Sequence, residues 1–450
     1  MSSTSVASAE PEQNSAHSYY ALGIVLLAYI LSFIDRNIMA VLIGPIRHDF
    51  DISDFQYSLL HGFAFSMFYI ILGLPIGRLA DRYSRRWIVT IGVLAWSVMT
   101  CVCGVATKFK WLFVARIGVG VGEAALSPPV YSLLSDYFSA DKLPRVMAVY
   151  TLGITIGGGL AYMVGGAIYE YFAAWESLDF PIIGEVRPWQ MTFFVVGVPG
   201  VVVALLMTTI KEPRRRGMIA SKQSAAIESL PVAEVGRYMK GHWQAYVAIG
   251  VGASLLAILG NGTMAWYTEY LIRSHDMDRA SAGAMFGLIF ITAGSLGTLA
   301  GGWSVKPLMD RGYRDANMRV MMLVGILWVV PAVAGPLMPT QTLALLAAIP
   351  IVFFLNSYFG VCVAAVQLVT PNQMRAQLSA LLLFMTNLFG LALGPTIIAS
   401  ITDFVFQDDQ ALRYSLAIIP AIVCPCSAIL VAWGLKYYRR AMDDAELWQE

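Results

Sequence analysis

The sequence predicts an all-α integral membrane protein in which twelve transmembrane helices form two pseudo-symmetric six-helix bundles. Three observations predict it. Only 13% of the 450 residues are charged while 58% are hydrophobic, against about a quarter charged in an ordinary soluble domain. The apolar residues fall into runs of 18 or more, long enough to cross a hydrocarbon core as helices. A charged stretch near the middle of the chain separates six such runs from six more.

Taken in order, the spans are expected at about 19–45, 55–79, 87–107, 111–138, 144–172 and 189–210, then at about 243–272, 280–305, 318–338, 341–369, 375–403 and 411–437. The organisation is therefore a disordered cytoplasmic tail (1–18), an N-terminal bundle (19–210), a cytoplasmic linker (211–240), a C-terminal bundle (241–437) and a second cytoplasmic tail (438–450). The first tail is Ser-rich and has no Lys or Arg. It lacks the basic start of a signal peptide, so span one is expected to serve as its own insertion signal. Cys101, Cys103, Cys362, Cys424 and Cys426 all lie in apolar runs and are expected to be packing residues, with no metal site and no cofactor.

Lysine and arginine set the orientation. With the tails in the cytoplasm, 21 of the 30 fall in cytoplasmic segments and seven outside (Arg47, Lys108, Lys110, Arg187, Arg273, Arg279 and Arg413), while Arg36 and Arg116 fall within spans. This is a clear positive-inside distribution, expected for a plasma (inner) membrane protein with both termini cytoplasmic. Near-equal totals of 30 basic and 29 acidic residues give no reason to expect a nucleic-acid partner. The two halves also repeat a local signature. Span two runs into Gly77-Arg78-Leu79-Ala80-Asp81-Arg82-Tyr83-Ser84-Arg85-Arg86, and span eight into Gly301-Gly302 with Asp310-Arg311 beyond. Paired six-helix repeats are an arrangement found in transporters.

Ionisable residues at membrane depth are costly and are functional candidates. Asp35 and Arg36 in span one and Arg116 and Glu123 in span four qualify. Arg116 and Glu123 are seven apart, so they share a helix face about 10 Å apart along the axis. Asp35 is expected to reach that face, placing one arginine between two acids whose protonation is linked. The plain alternative is an ion pair that locks span one to span four. That accounts for Asp35 with Arg116 but leaves Glu123 as an excess acid, which is what proton coupling needs. Arg36 points about 100° away from Asp35 and is grouped with Arg116 as a charge partner or head-group contact.

Gly77, Asp81, Arg85, Arg86 and Asp136 gather at one helix junction and are expected to form a charge latch between the halves on the cytoplasmic side. Asp81 is also placed to face the N-terminus of span eleven after Pro371, where the helix dipole favours an anion. Gly118, Gly120 and Gly122 fall inside an apolar helix with no strand before them, so they read as packing positions. The C-terminal half has no charge in the middle of its spans. Its candidates for a cavity wall are Trp266, Tyr267, Asn356, Tyr358 and Gln367. One charged wall opposite a mostly apolar one suits an amphiphile with an ionised head.

These residues resemble the major facilitator superfamily, whose motif after helix two is Gly-x-Leu-Ala-Asp-Arg-x-Gly-Arg-Lys; here Ser84 replaces the glycine and Arg86 the lysine. Within it, the chain is most similar to the spinster family of lysolipid and sphingosine-phosphate transporters, through Asp35-Arg36, Arg116-Ile117-Gly118-Val119-Gly120-Val121-Gly122-Glu123-Ala124 and Glu212-Pro213-Arg214. The likeness covers about residues 30–215 well and the second half more weakly. It implies proton-driven alternating access, with Asp35 and Glu123 carrying protons and Arg116 as their partner and head-group contact. The implied partners are protons, membrane lipid and a small-molecule or lipid substrate, handled by a monomer. The competing readings are a carrier of small organic anions such as sugar acids, a drug exporter, and a membrane-embedded enzyme. The last would need a nucleophile with a base, or metal ligands, at membrane depth, and the five histidines are scattered.

Overall fold

A computed structural model describes residues 15–139, 141–175, 178–180, 184–213, 232–371 and 374–446; the side chain of Asp81 lies outside what it describes. Eleven of its helices are long and apolar enough to cross a membrane: Ala16–Val41, Asp54–Gly73, Arg85–Cys103, Leu143–Ala173, Pro188–Met207, Trp243–His275, Arg279–Asp310, Ala316–Leu337, Gln341–Leu368, Gln377–Phe406 and Asp409–Ala445. These are spans one to three and five to twelve. Span four is in two pieces, Phe109–Glu123 and Ser127–Tyr137, each too short to cross alone. The cause is in the sequence: Pro128 and Pro129 have no N–H, so the carbonyls of Ala124 and Ala125 lose their donors four residues on. The chain turns there and restarts with its prolines in the first helical turn, where a missing donor costs nothing.

The expected tails differ at their edges. Span one starts at Ala16, capped by the Ser15 hydroxyl, which accepts from the Ser18 amide, and the last helix continues to Glu446. A short antiparallel hairpin, Leu178–Phe180 with Gly184–Val186, is the one feature outside the all-α expectation among the described residues. Of the cysteines, Cys103, Cys362 and Cys424 are buried, whereas Cys426 is exposed on span twelve.

The Lys211 amide donates to His17 Nε2 at 3.1 Å, and His242 lies 3.7 Å from Asp444. The first and last described helices thus have ends beside residues 211 and 242, on the side termed here the terminal side. On the opposite side the halves are closed against each other. Span five meets span eight in the most extensive contact between them, and the crossing is backbone on backbone. A Cβ on Gly283 would lie 2.2 Å from the Tyr162 carbonyl oxygen, and one on Gly287 would lie 2.4 Å from that of Gly159. Span two meets span eleven in the same way: a Cβ on Gly62 would lie 2.4 Å from the Leu391 carbonyl oxygen. Both helices carry a wide π-type turn at this crossing, Leu59–Phe63 and Leu388–Leu393. Without a hydrophobic driving force between helices in lipid, such close approach is what lets dispersion hold the halves together.

Candidate functional site

Spans one and four bring all four membrane-depth charges together, but in two pairs. Arg116 Nη1 donates to Asp35 Oδ1 at 3.0 Å, and Thr100 Oγ1 donates to Asp35 Oδ2. Arg36 Nη2 donates to Glu123 Oε2 at 2.6 Å, and Ser32 Oγ donates to the same oxygen at 2.7 Å. The expected sharing of Arg116 between two acids is thereby corrected. Consecutive residues on span one project about 100° apart, so Asp35 and Arg36 engage different turns of span four, and each acid has its own arginine. The spacing of Arg116 and Glu123 could be read from the sequence. The rotation of span one against span four could not.

Burial divides the cluster further. The Arg116 and Glu123 side chains are fully sealed, whereas Arg36 keeps 14% of its side chain accessible. Its guanidinium carbon lies 4.7, 4.8 and 4.9 Å from the ring centres of Phe33, Phe65 and Tyr69, a cation–π cage that holds the head in place. Arg116 Nε and Nη2 and Glu123 Oε1 are buried and make no hydrogen bond. A purely structural ion pair at membrane depth would be expected to satisfy such atoms; this one leaves donors and an acceptor idle.

The latch residues are placed differently from expectation. Arg85 Nε donates to Glu212 Oε1 at 3.0 Å, its Nη1 pairs with Asp136, and its Nη2 donates to the Pro213 carbonyl at 3.1 Å. Arg86 Nη1 donates to the Ile210 carbonyl at 2.9 Å. These partners lie in spans four and six and the residues just after span six, so through these contacts Arg85 and Arg86 brace spans three, four and six to one another. The cause is Glu212, which caps span three by accepting from the Arg85 and Arg86 amides and the Ser84 hydroxyl and so draws the arginines inward. Gly77 has room for a side chain, its nearest neighbour being Pro128 Cβ at 3.8 Å. The proposed contact of Asp81 with span eleven lies outside the described side chains.

Burial opposes the charge on Glu212, but the Arg86 amide, the Ser84 hydroxyl and the Arg85 guanidinium outweigh it and hold the carboxyl below its usual range. A depressed folded-state value means that the stabilisation is present above the unfolded value and is lost as pH falls through the folded one. Glu212→Gln is therefore expected to lower stability by about 1 kcal/mol at neutral pH, allowing for its partial exposure, with the difference vanishing at acid pH. Melting curves of both proteins in detergent across pH 3–7 measure this; a constant difference down to the lowest pH would remove Glu212 as the titrating brace.

The opposite side carries a network that the sequence did not reveal. Arg273 holds Asp54 with two bonds, at 2.7 and 2.8 Å, and reaches Glu269 at 2.9 Å. Arg279 reaches Glu269 at 3.2 Å and Arg47 reaches both Asp54 and Asp409 at 2.9 Å. Bidentate, charge-assisted bonds of this kind are the strong ones. Arg47, Arg273 and Arg279 read in the sequence as ordinary loop charges because they lie at span ends, and no spacing joins residues 54 and 273. Asp54, Asp403 and Asp409 are the one carboxylate group with metal-ligand spacing among the described residues. Their oxygens already accept from Arg273, Arg47 and the Phe55 amide.

The sequence profile of the Major Facilitator Superfamily matches residues 25–440. The chain belongs to the major facilitator superfamily. It is 26% identical over 442 residues to an MFS-type efflux pump of Mycolicibacterium smegmatis, covering 94% of each chain. It is 23% identical to Protein spinster of Drosophila melanogaster over 86% of its own length, spanning 62% of that longer protein, and 26% identical to Protein spinster homolog 1 of Bos taurus, covering 90% of this chain and 78% of that one. Among solved structures, it superposes on a bacterial homologue of the human lysosomal transporter Spinster in its inward-facing, unoccupied conformation with a TM-score of 0.77, at 24% identity over 95% of this chain and 98% of that one. This major facilitator protein is thus a transporter that resembles the spinster family, and its relatives are transporters, not enzymes.

The transporter's C-terminal half does not place the remaining candidates on a common wall. Trp266 and Tyr267 are buried, bonded to the Pro395 and Ala344 carbonyls at 2.9 and 2.8 Å. Tyr358 is buried against the Trp328 ring. Asn356 is half-buried, donating to the Val352 carbonyl on its own helix at 3.0 Å, and Gln367 is exposed at the terminal-side end of span ten. A helix surrounded on all sides has no apolar face to read, which is why packing aromatics could pass for a cavity lining.

Proposed function

We propose that this transporter is a proton-coupled secondary carrier working by alternating access, with an anionic amphiphile such as a lysophospholipid or sphingosine-phosphate-like lipid as substrate. The observation that carries the reading is the unequal burial of the cluster. Asp35 and Glu123, each on its own arginine, supply two protonation sites. Arg36, the one accessible cation, is the group an incoming anionic head can reach, at the expense of its bond to Glu123. Binding and protonation then become linked: an anion on Arg36 releases Glu123, and a proton on Glu123 releases Arg36. The absence of mid-span charge from the C-terminal half supports an apolar tail over a second polar head. The likeness to spinster proteins supports the same class, with the terminal side facing the cytoplasm of a plasma (inner) membrane and a monomer as the working unit.

A thermal-shift panel on the purified protein tests the substrate class. Lysophospholipids are expected to raise Tm and sugar acids and cationic drugs to leave it unchanged; stabilisation by sugar acids alone would replace the amphiphile with a small organic anion. The likeness to the efflux pump over nearly the whole of both chains favours a second reading, drug efflux, which stabilisation by the cationic drugs alone would select. A cysteine replacing Lys222 is expected to react with an impermeant maleimide only from the cytoplasmic face, and labelling in sealed cells would invert the orientation.

A further inference from the structure

The terminal-side end of span twelve holds a feature that the transport cycle does not use. Lys436, Arg439 and Arg440, with Arg314 from the start of span nine, line a recess of about 330 Å³ whose one acidic member is Asp443. Arg314 is held by Asp443 at 2.8 Å and Arg439 by Asp315 at 2.7 Å. Lys436 and Arg440 are exposed and have no carboxylate partner among the described residues, where four cations thus face only Asp443 and Asp315. A topology signal needs only cations on the correct side; it does not need four of them converging on one hollow with two fixed in direction by ion pairs.

What lies directly below the recess identifies the ligand. On span twelve, Ile422, Cys426, Ile429 and Trp433 recur every three or four residues and form one exposed stripe, with Ile429 69% accessible. Lys436 and Arg440 continue that face. At the join Trp433 stacks obliquely on Tyr437 and Trp243, with ring centres 5.0 and 6.0 Å apart, and the Lys436 ammonium lies 4.7 Å from the Tyr437 ring centre. Aromatic rings at this level mark the boundary between acyl chains and head groups, and a basic pocket just beyond it fits a lipid phosphate.

We propose that this recess is a binding site for the phosphodiester head of an anionic phospholipid in the terminal-side leaflet, with the acyl chains lying on the Ile422–Trp433 stripe. Arg440 and Lys436 take the phosphate oxygens, Arg314 and Arg439 orient it, and the apolar stripe is what a free anion could not use. The site is separate from Arg36 and its partners, and does not depend on which substrate is carried.

The test uses the full-length protein in nanodiscs of phosphatidylcholine with graded phosphatidylglycerol, read by native mass spectrometry and by Tm. Wild type is expected to retain phosphatidylglycerol preferentially. Lys436→Gln with Arg440→Gln is expected to weaken that retention on the order of tenfold or more. Lys306→Gln with Arg311→Gln, which removes the same formal charge on the same side from residues that do not line the recess, is expected to leave it intact. Equal Tm values in phosphatidylcholine alone establish that all three proteins are folded; if the double variant is not, Arg440→Gln alone replaces it. Unchanged retention in the folded variant overturns the proposal, as does an equal loss in the Lys306/Arg311 control. Stabilisation of wild type by inorganic phosphate to the same extent as by phosphatidylglycerol would reduce the recess to a free-anion site.

Discussion

Asp35→Asn and Glu123→Gln are expected to fold and to lose gradient-driven uptake in proteoliposomes by about tenfold or more, the loss that one missing proton per cycle produces when a pH unit supplies about 1.4 kcal/mol. A membrane potential of 100 mV adds about 2.3 kcal/mol for each charge moved, so an uncoupled carrier forfeits both driving forces together. Each amide matches the shape of its protonated acid, which is why folding should survive and substrate exchange without a gradient should continue. The two variants should differ in stability. Asp35→Asn leaves Arg116, whose side chain is fully sealed, without its counter-charge. Glu123→Gln leaves Arg36, which keeps some access to solvent. Arg116→Ala should do most damage, by about 3 kcal/mol or more, because it strands a buried carboxylate. Uptake with and without an imposed pH gradient, beside melting curves, measures all three. Full gradient-driven uptake by both amide variants would make the cluster an ion pair that only locks span one to span four.

Gly283→Leu is expected to abolish transport by holding the opposite side open. The Cβ of any side chain there would lie 2.2 Å from the Tyr162 carbonyl oxygen, and backbone cannot step aside as a flexible side chain can. Overpacking costs about 1–3 kcal/mol even where neighbours can adjust, and about 3 kcal/mol is a shift of roughly 150-fold in a two-state equilibrium. The cost falls only on the arrangement in which spans five and eight touch, so the population moves away from it. Spin labels at the ends of those spans on the opposite side should report longer distances in the variant. Gly302→Leu, on the same helix with nothing within 4 Å of its Cβ position, should leave both distances and transport unchanged. An unaltered distance distribution in folded Gly283→Leu would show that the closed seam accommodates a side chain at this crossing and would overturn the prediction.

The fold was readable because the membrane imposes it. A hydrocarbon core demands a long apolar run for every crossing, and eleven of the twelve runs in the sequence are crossing-length helices among the described residues, the span-four run being broken at its proline pair. Asp35, Arg36, Arg116 and Glu123 stood out for the same reason, since charge in that environment is rare. Their pairing was not readable, because it depends on how two helices are rotated about their own axes. Asp54, Glu269 and Arg273 escaped notice because charge near a span end is ordinary, and only folding brings residue 54 to residue 273. Glu212 was visible as part of a motif, but its role as the cap that turns Arg85 and Arg86 inward depends on where span six ends relative to span three.

The proline pair of span four has an effect that no hydropathy profile records. Residues 117–126 carry one charged side chain, that of Glu123, yet Pro128 and Pro129 also remove the amides that the carbonyls of Ala124 and Ala125 would otherwise receive. Backbone polarity is normally hidden inside a membrane helix; here two acceptors are released one and two residues from Glu123. Irregular backbone at such depth persists only where protein or water satisfies it. Two rings with no ionisable atom thus give the neighbourhood of Glu123 the hydrogen-bonding capacity of a polar side chain, through two backbone acceptors that a regular helix would have used up.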